Sequence, residues 1–317
     1  MDVHEYQLLQ SELPVLDRLL AQTPEKNVIN RMSLQARKDA VMKALTSYTP
    51  PLREPARARL TFQGKPVVGN YGIFAKFGGE AIDKFADAVR AFAASRSGPL
   101  GTRGAIPNRD DYQLIITGTA PGSFGFDLEE HLIQSTLPME GPSLVGQAIK
   151  QTCALMTATQ GSDDDLADVA AESDPRAIVA LRDFLKTMAD HEAVCALQFQ
   201  DKVIRFTNTG QVRRSAERLS QDNIHEDEQY LDGAFIGVLP KKRTFEFRLA
   251  ATGEIITGRV GPDIIDAGVI NQVLEQQTTI QVQTTRVGDG RPRYVLLHYG
   301  EPLKSGVIVK DGEKGND

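Results

Sequence analysis

The stretch Tyr112–Glu130, YQLIITGTAPGSFGFDLEE, constrains the fold of this chain most. It reads as two strands joined by a tight turn. Leu114, Ile115 and Ile116 form an unbroken apolar run, as in a strand covered on both faces. Ala120-Pro121-Gly122-Ser123 is turn chemistry, with proline presetting φ and glycine accepting a positive φ after it. The return strand alternates, Phe124, Phe126 and Leu128 against Gly125, Asp127 and Glu129. A hairpin of this kind implies a sheet, and the N-terminal two-thirds of the chain is expected to be built around it.

Helical patterns surround the hairpin. Residues 1–50 read as a helical segment, with Thr23-Pro24-Glu25 as a helix start and Ser33 as a second cap. Its basic residues Arg31, Arg37, Lys38 and Lys43 are interspersed and read as a solvated face. After the break at Pro50-Pro51, residues 57–74 read as short strands with turns at Gly64 and Asn70. Ile82, Phe85, Val89 and Phe92 then recur at helical spacing. A Gly- and Pro-rich loop with Arg96, Arg103 and Arg109 leads into the hairpin. Three helices are expected from Pro142 onward, the second opened by Ser162 and Asp163-Asp164-Asp165, the third by Ser173-Asp174-Pro175. A hairpin over 193–206 and a polar helix over 209–220 follow. Residues 51–222 are thus read as an α+β scaffold domain.

Residues 223–232 are acidic, lack apolar periodicity and are read as a linker. Beyond them short strands recur every eight to twelve residues, with one helix expected over 262–275. That pattern predicts a small β-barrel over 233–303, with Gly233, Gly237 and Gly258 at sharp bends. The tail 304–317 is polar and is expected to be flexible. The fold class is therefore α+β, an N-terminal mixed domain with antiparallel hairpins and a helical segment, then a small barrel with one inserted helix.

No motif with catalytic geometry survives this reading. The glycines of Thr117–Gly125 connect strand to strand, whereas phosphate loops need backbone N–H groups converging on a helix start. Ser123 lies in a hairpin rather than a nucleophile elbow, and His131 is a weak partner for it. His225-Glu226-Asp227-Glu228 offers four ligating side chains, but contiguous ones on a polar segment. Asp110, Asp111, Glu129 and Glu130, with His131 nearby, form the alternative reading, a metal-dependent hydrolase or nuclease. No catalytic residue, metal ligand or cofactor is assigned. The binding candidates are the cations of two barrel turns, Lys241, Lys242 and Arg243, and Arg286, Arg291 and Arg293. If both turns lie at one end, the six converge on a partner, either a protein, a second copy of the chain or nucleic acid.

Composition narrows the class. At 317 residues the chain exceeds a single core, and its formal charge of −6 argues against a wholly basic nucleic-acid binder. No apolar run approaches the roughly 18 residues of a bilayer span. The start, MDVHEYQLLQSELP, has no export-signal pattern, so a cytoplasmic protein without membrane contact is expected. Cys153 and Cys195 sit in apolar surroundings and read as reduced core residues.

The segments VINRMSLQAR (28–37), GKPVVGNYGIFAKF (64–77), TGTAPGSFGFDLEE (117–130) and GVLPKKRTFEF (237–247) resemble a group of uncharacterised bacterial cytosolic proteins of similar length. The resemblance implies a bacterial cytosolic origin and that these stretches belong to one protein; a role with mobile elements or antiviral defence is a further expectation that the matched residues do not themselves carry. It transfers no activity, cofactor or catalytic residue. The functional expectation is a non-enzymatic binding or accessory protein that recognises its partner through the C-terminal barrel.

Overall fold

The computed structural model describes residues 3–47, 54–101, 104–120, 124–132 and 141–300. The turn Pro121–Ser123, Arg103, the Pro50-Pro51 break and the tail 304–317 lie outside them. The chain divides into two units, Met1–Pro55 with Leu132–Gly141, and Ala56–His131 with Pro142–Asp317.

The first unit is a helical hairpin of α1 (Val3–Gln22) and α2 (Val28–Thr46). The second helix is continuous and starts four residues after Pro24, so Thr23-Pro24-Glu25 and Ser33 do not open helices. Thr23–Asn27 is instead the connection, because Thr23 N–H and Oγ1 both bond to Leu19 O and extend the end of α1. The basic residues of α2 are not simply solvated. Arg37 grips Glu12 through two bonds of 2.7 Å, Lys38 reaches Asp17 at 2.6 Å, and Arg31 donates to Leu20 O and Thr23 O at the C-terminus of α1. Leu16 and Val41 are buried within the unit.

The second unit begins with an antiparallel five-stranded sheet. Its strands are β1 (Arg57–Gly64), β4 (Leu114–Thr119), β5 (Phe124–Glu130), β6 (Ala193–Phe199) and β7 (Lys202–Arg205), in the order β4-β5-β1-β6-β7. The short ribbon β2 (Val67–Val68) and β3 (Gly72–Ile73) leads into α3 (Ala75–Ser95). The expected hairpin exists, but β1 rather than the hairpin is central. β4 is an edge strand, and Ile116 is 54% exposed instead of covered on both faces. The approach of β1 to β5 requires Gly125: a Cβ there would sit 2.2 Å from Leu60 O. On the polar face of this pair Arg57 meets Glu129 at 2.8 Å and Arg59 meets Asp127 at 2.7 Å, each with the residue directly opposite in register.

Helices α3, α4 (Leu144–Ala158), α5 (Asp163–Ala170), α6 (Pro175–Asp190) and α7 (Thr209–Arg218) supply the apolar layer. A single core joins Leu60, Phe62, Phe85, Phe184, Ile149 and Leu197, among others. The caps follow the sequence: Ser143 accepts from Gly146 N, Ser162 and Asp165 form a reciprocal capping box, and Asp174 accepts from Arg176 N ahead of Pro175. Cys153 and Cys195 are free and buried in this core. Burial pushes their thiols up to about 11 and about 12.

The barrel consists of β8 (Ile224–Leu239), β9 (Thr244–Leu249), β10 (Ile255–Val260), β11 (Gln277–Val287) and β12 (Arg293–Tyr299). It closes in the order β10-β12-β11-β8-β9, with only the β10–β12 seam parallel. Counted from β8, this is the order 1-2-3-5-4, the Greek-key connectivity of OB-type barrels. Phe235, Phe245 and Phe247 pack edge-to-face inside it, with Ile280, Val282 and Leu296. The helix expected over 262–275 is a 3-10 helix, Ala267–Val273, started by Asp266, whose carboxylate accepts from Gly268 N at 2.7 Å.

The acidic run 223–232 is not a linker. It is the first half of β8, paired residue for residue with β11. Ile224 and Val287 belong to the scaffold core, so scaffold and barrel fall within one unit.

Candidate partner-binding end of the barrel

The turn between β8 and β9 is organised by Arg243. Its φ of 51° places it in the left-handed region, and its guanidinium donates to three carbonyls, Val260 (3.3 Å), Gly261 (2.5 Å) and Ile264 (2.8 Å). These carbonyls belong to the last residue of β10 and the segment after it. Arg243 therefore locks the turn to the segment that leads into the 3-10 helix, a task suited to its planar fork. It is a structural cation rather than a free one. Lys241 and Lys242 are exposed and have no acidic partner among the described residues.

Apolar side chains stand beside these lysines. Ile265 is 94% exposed, Leu239 58% and Val269 43%. The backbone at Gly268 lies near the Pro240 ring, where an added Cβ would meet Cγ at 3.7 Å. The 3-10 helix is anchored below by Ala267 and Ile270 in the barrel core. One end of the barrel thus presents three exposed aliphatic residues near two cations without an acidic partner among the described residues.

The other three candidates lie elsewhere. β8 and β11 are antiparallel, Val287 pairs with Ile224, and Gly288 N donates to Asn223 O at 2.9 Å. The β11–β12 turn therefore sits at the start of the 16-residue β8, and Pro240–Arg243 at its far end. The six cations do not converge. Arg293 is spent on α5, bonding to Asp168 and, at 3.3 Å, to Asp164. Arg291 N also turns toward Asp164. Arg291 and Arg286 are exposed, with Arg286 opposite His225. The acids of α5 do more than complement its dipole, since Asp163 also holds Arg218 at 2.7 Å. Sequence reasoning locates the lysines but misses Leu239, Ile265 and Val269. Ile265 and Val269 look like core positions when a regular helix is assumed.

Two of the four carboxylates of the alternative reading are engaged. Glu129 pairs with Arg57, and Glu130 Oε2 accepts from Ala56 N at 3.1 Å. Asp110 and Asp111 stand in the 3-10 turn Arg109–Tyr112, where Asp110 lies 3.5 Å from the Gln113 amide. Among the described residues, no three His, Cys, Asp or Glu side chains gather as a metal would require. Ser123 lies outside them. Among the described residues no helix is long and apolar enough to cross a membrane. No protein-family model, curated protein or solved structure matches this chain.

Proposed function

We propose that this is a non-enzymatic binding protein of a bacterial assembly, in which the barrel end formed by Leu239–Lys242, Ile265 and Val269 docks a protein partner. The partner surface would be apolar at its centre and acidic around it. The observation that supports the reading is the Arg243 clamp, which ties the turn carrying Lys241 and Lys242 to the backbone next to the exposed Ile265. Preorganisation of this kind lowers the entropic cost of docking.

Nucleic acid fits less well. OB-type barrels hold oligonucleotides on the face of their second and third strands together with the 1–2 and 4–5 loops, here the turns of Lys241–Lys242 and Arg291. Here the arginines of that face are paired, Arg248 with Glu275 at 3.4 Å and Arg259 with Glu172 at 2.5 Å. A binding comparison tests the proposal, using acidic amphipathic peptides and labelled single-stranded DNA at two salt concentrations. Wild type is expected to bind peptide, and both Ile265→Asp and Lys241→Ala/Lys242→Ala to lose it. Peptide binding indifferent to both variants would overturn the proposal. Salt-dependent DNA binding abolished by the double lysine change would replace it with the nucleic-acid reading.

A further inference from the structure

At the other end of β8 an open cavity of about 330 Å³ lies between the scaffold helices and the barrel ribbon. Its apolar wall comes from Ile178 and Val179 of α6 and from Leu219 after α7. Its polar wall is His225, Glu226 and Asp227 of β8. The volume falls at the small end of the range for sites that enclose an organic ligand.

The chemistry of the cavity is one-sided. Glu226 is half-buried, and the hydrogen bond it accepts from the Gln283 amide is long, at 3.5 Å. Burial, then the charge of Asp174, then that weak bond set its carboxyl, and the balance holds it above the ordinary carboxylate range. Asp227 lies at the exposed rim, on the face of the ribbon that carries Arg286. The arginines adjacent in sequence to the cavity wall are used elsewhere. Arg176 donates to Gly101 O and Gly104 O, and Arg218 to Thr159 O, Gly161 O and Asp163. Arg286 pairs in register with His225 and shares that face of the ribbon with Asp227, while Glu226 lies on the other face with the buried Ile224. A carboxylate taken partly out of water without a counter-ion is costly, and an entering cation relieves that cost.

A hydrated divalent ion is a poor match. Such ions need several oxygen ligands, whereas half of this wall is aliphatic and no metal-competent cluster exists among the described residues. The wall suits a ligand with a charged head and a hydrocarbon body.

We propose that this cavity binds an organic cation, a primary ammonium or guanidinium on a short aliphatic stem, with Glu226 as its counter-ion and Ile178, Val179 and Leu219 against the stem. The ligand is either a free amine or guanidine, or the side chain of a lysine or arginine in a peptide. The site lies at the opposite end of β8 from Lys241 and Lys242, so it stands or falls independently of the docking platform.

Titration of the full chain by calorimetry and NMR, at low salt and neutral pH, distinguishes the sources. The probes are agmatine, cadaverine, a five-residue peptide with one central arginine between leucines, and the same peptide with citrulline in place of arginine. A cationic probe is expected to bind while the citrulline peptide does not. Agmatine or cadaverine binding without peptide binding identifies a small molecule, and the reverse identifies a peptide side chain. Glu226→Gln should weaken the bound probe about tenfold or more, the loss of one charge-assisted contact. Val179→Phe, which fills the apolar wall, should abolish binding through packing alone. Lys241→Ala/Lys242→Ala should leave it unchanged. Absence of binding by every cationic probe at about 10 mM, well above weak-ligand affinities, would overturn the proposal. So would affinity within twofold of wild type in both folded cavity variants.

Discussion

Arg293, the first residue of the last barrel strand, forms an ion pair with Asp168 on scaffold helix α5. It also reaches Asp164 one turn earlier, so a single guanidinium fastens the β11–β12 turn to a helix more than 120 residues away in sequence. Arg293 is partly shielded, while both carboxylates stay largely exposed. Arg293→Ala should therefore destabilise the chain by about 0.5–1 kcal/mol, the upper end for a networked surface pair. Urea unfolding would show it as a lower midpoint, with part of the difference lost at high salt.

Gly125 and Gly79 make opposite predictions. At Gly125 the backbone of β1 occupies the space a side chain would need, whereas nothing lies within 4 Å of a Cβ at Gly79 on the exposed face of α3. Gly125→Ala should cost about 2–3 kcal/mol through overpacking, with a split of β1 from β5. Gly79→Ala should stabilise by roughly 0.5–1 kcal/mol, because it restricts the unfolded chain and favours the helix. Thermal melts of the two variants against wild type check both signs.

Arg243 and its neighbours separate architecture from recognition. Arg243→Lys keeps the charge but cannot fork to three carbonyls, and should cost about 1–2 kcal/mol. Lys241→Ala and Lys242→Ala remove exposed side chains and should stay within about 0.5 kcal/mol of wild type. Equal losses at all three positions, measured by denaturation, would contradict the structural role of Arg243.

The pH dependence of stability should carry the mark of Glu226. Its folded carboxyl is raised, so the contribution of this group is fully present below the ordinary carboxylate value and is lost as pH rises through the raised one. Glu226→Gln removes that loss. The variant should melt higher than wild type at pH 7, with the gap closing below about pH 4, where free glutamate is itself protonated. Melting curves over this range check the sign.

Cys153 and Cys195 should be silent to thiol reagents in the folded protein. Both are buried, and their raised thiols leave little thiolate at neutral pH. Labelling with a maleimide should proceed only at the rate of unfolding, and reductant should not move the melting temperature.

Local chemistry makes most elements legible in the sequence alone. Ser162 with Asp165, Asp174 before Pro175, and the spacing of Phe85 and Phe92 each define a helix on their own. Rank within a sheet is a different matter, because it depends on which distant strand arrives. Nothing near Ile116 reveals that β4 has a neighbour on one side alone. The acidic run after Asp222 resembles a linker for the same reason. Its stabilisers are the amides and hydroxyls of a strand fifty residues later, Gln281 to Glu228 at 3.0 Å and Thr279 to Asp232 at 2.6 Å. The lysines of the platform stand out as a cluster. Their apolar companions do not, since a regular helix over 262–275 would turn Ile265 and Val269 inward, whereas Ile265 lies in the irregular segment before the 3-10 helix and that helix leaves Val269 outside.

The unbroken run of β8 from Ile224 to Leu239 makes the barrel impossible to cut free cleanly. A fragment beginning at Gly233 would strip β11 of its partner from Thr279 to Val287 and leave a bare, glutamine- and threonine-rich margin. Such a margin recruits other chains. The excised piece should therefore clump or dimerise by strand exchange, while one beginning before Ser162 would keep both the ribbon and the α5 carboxylates that hold its far turn.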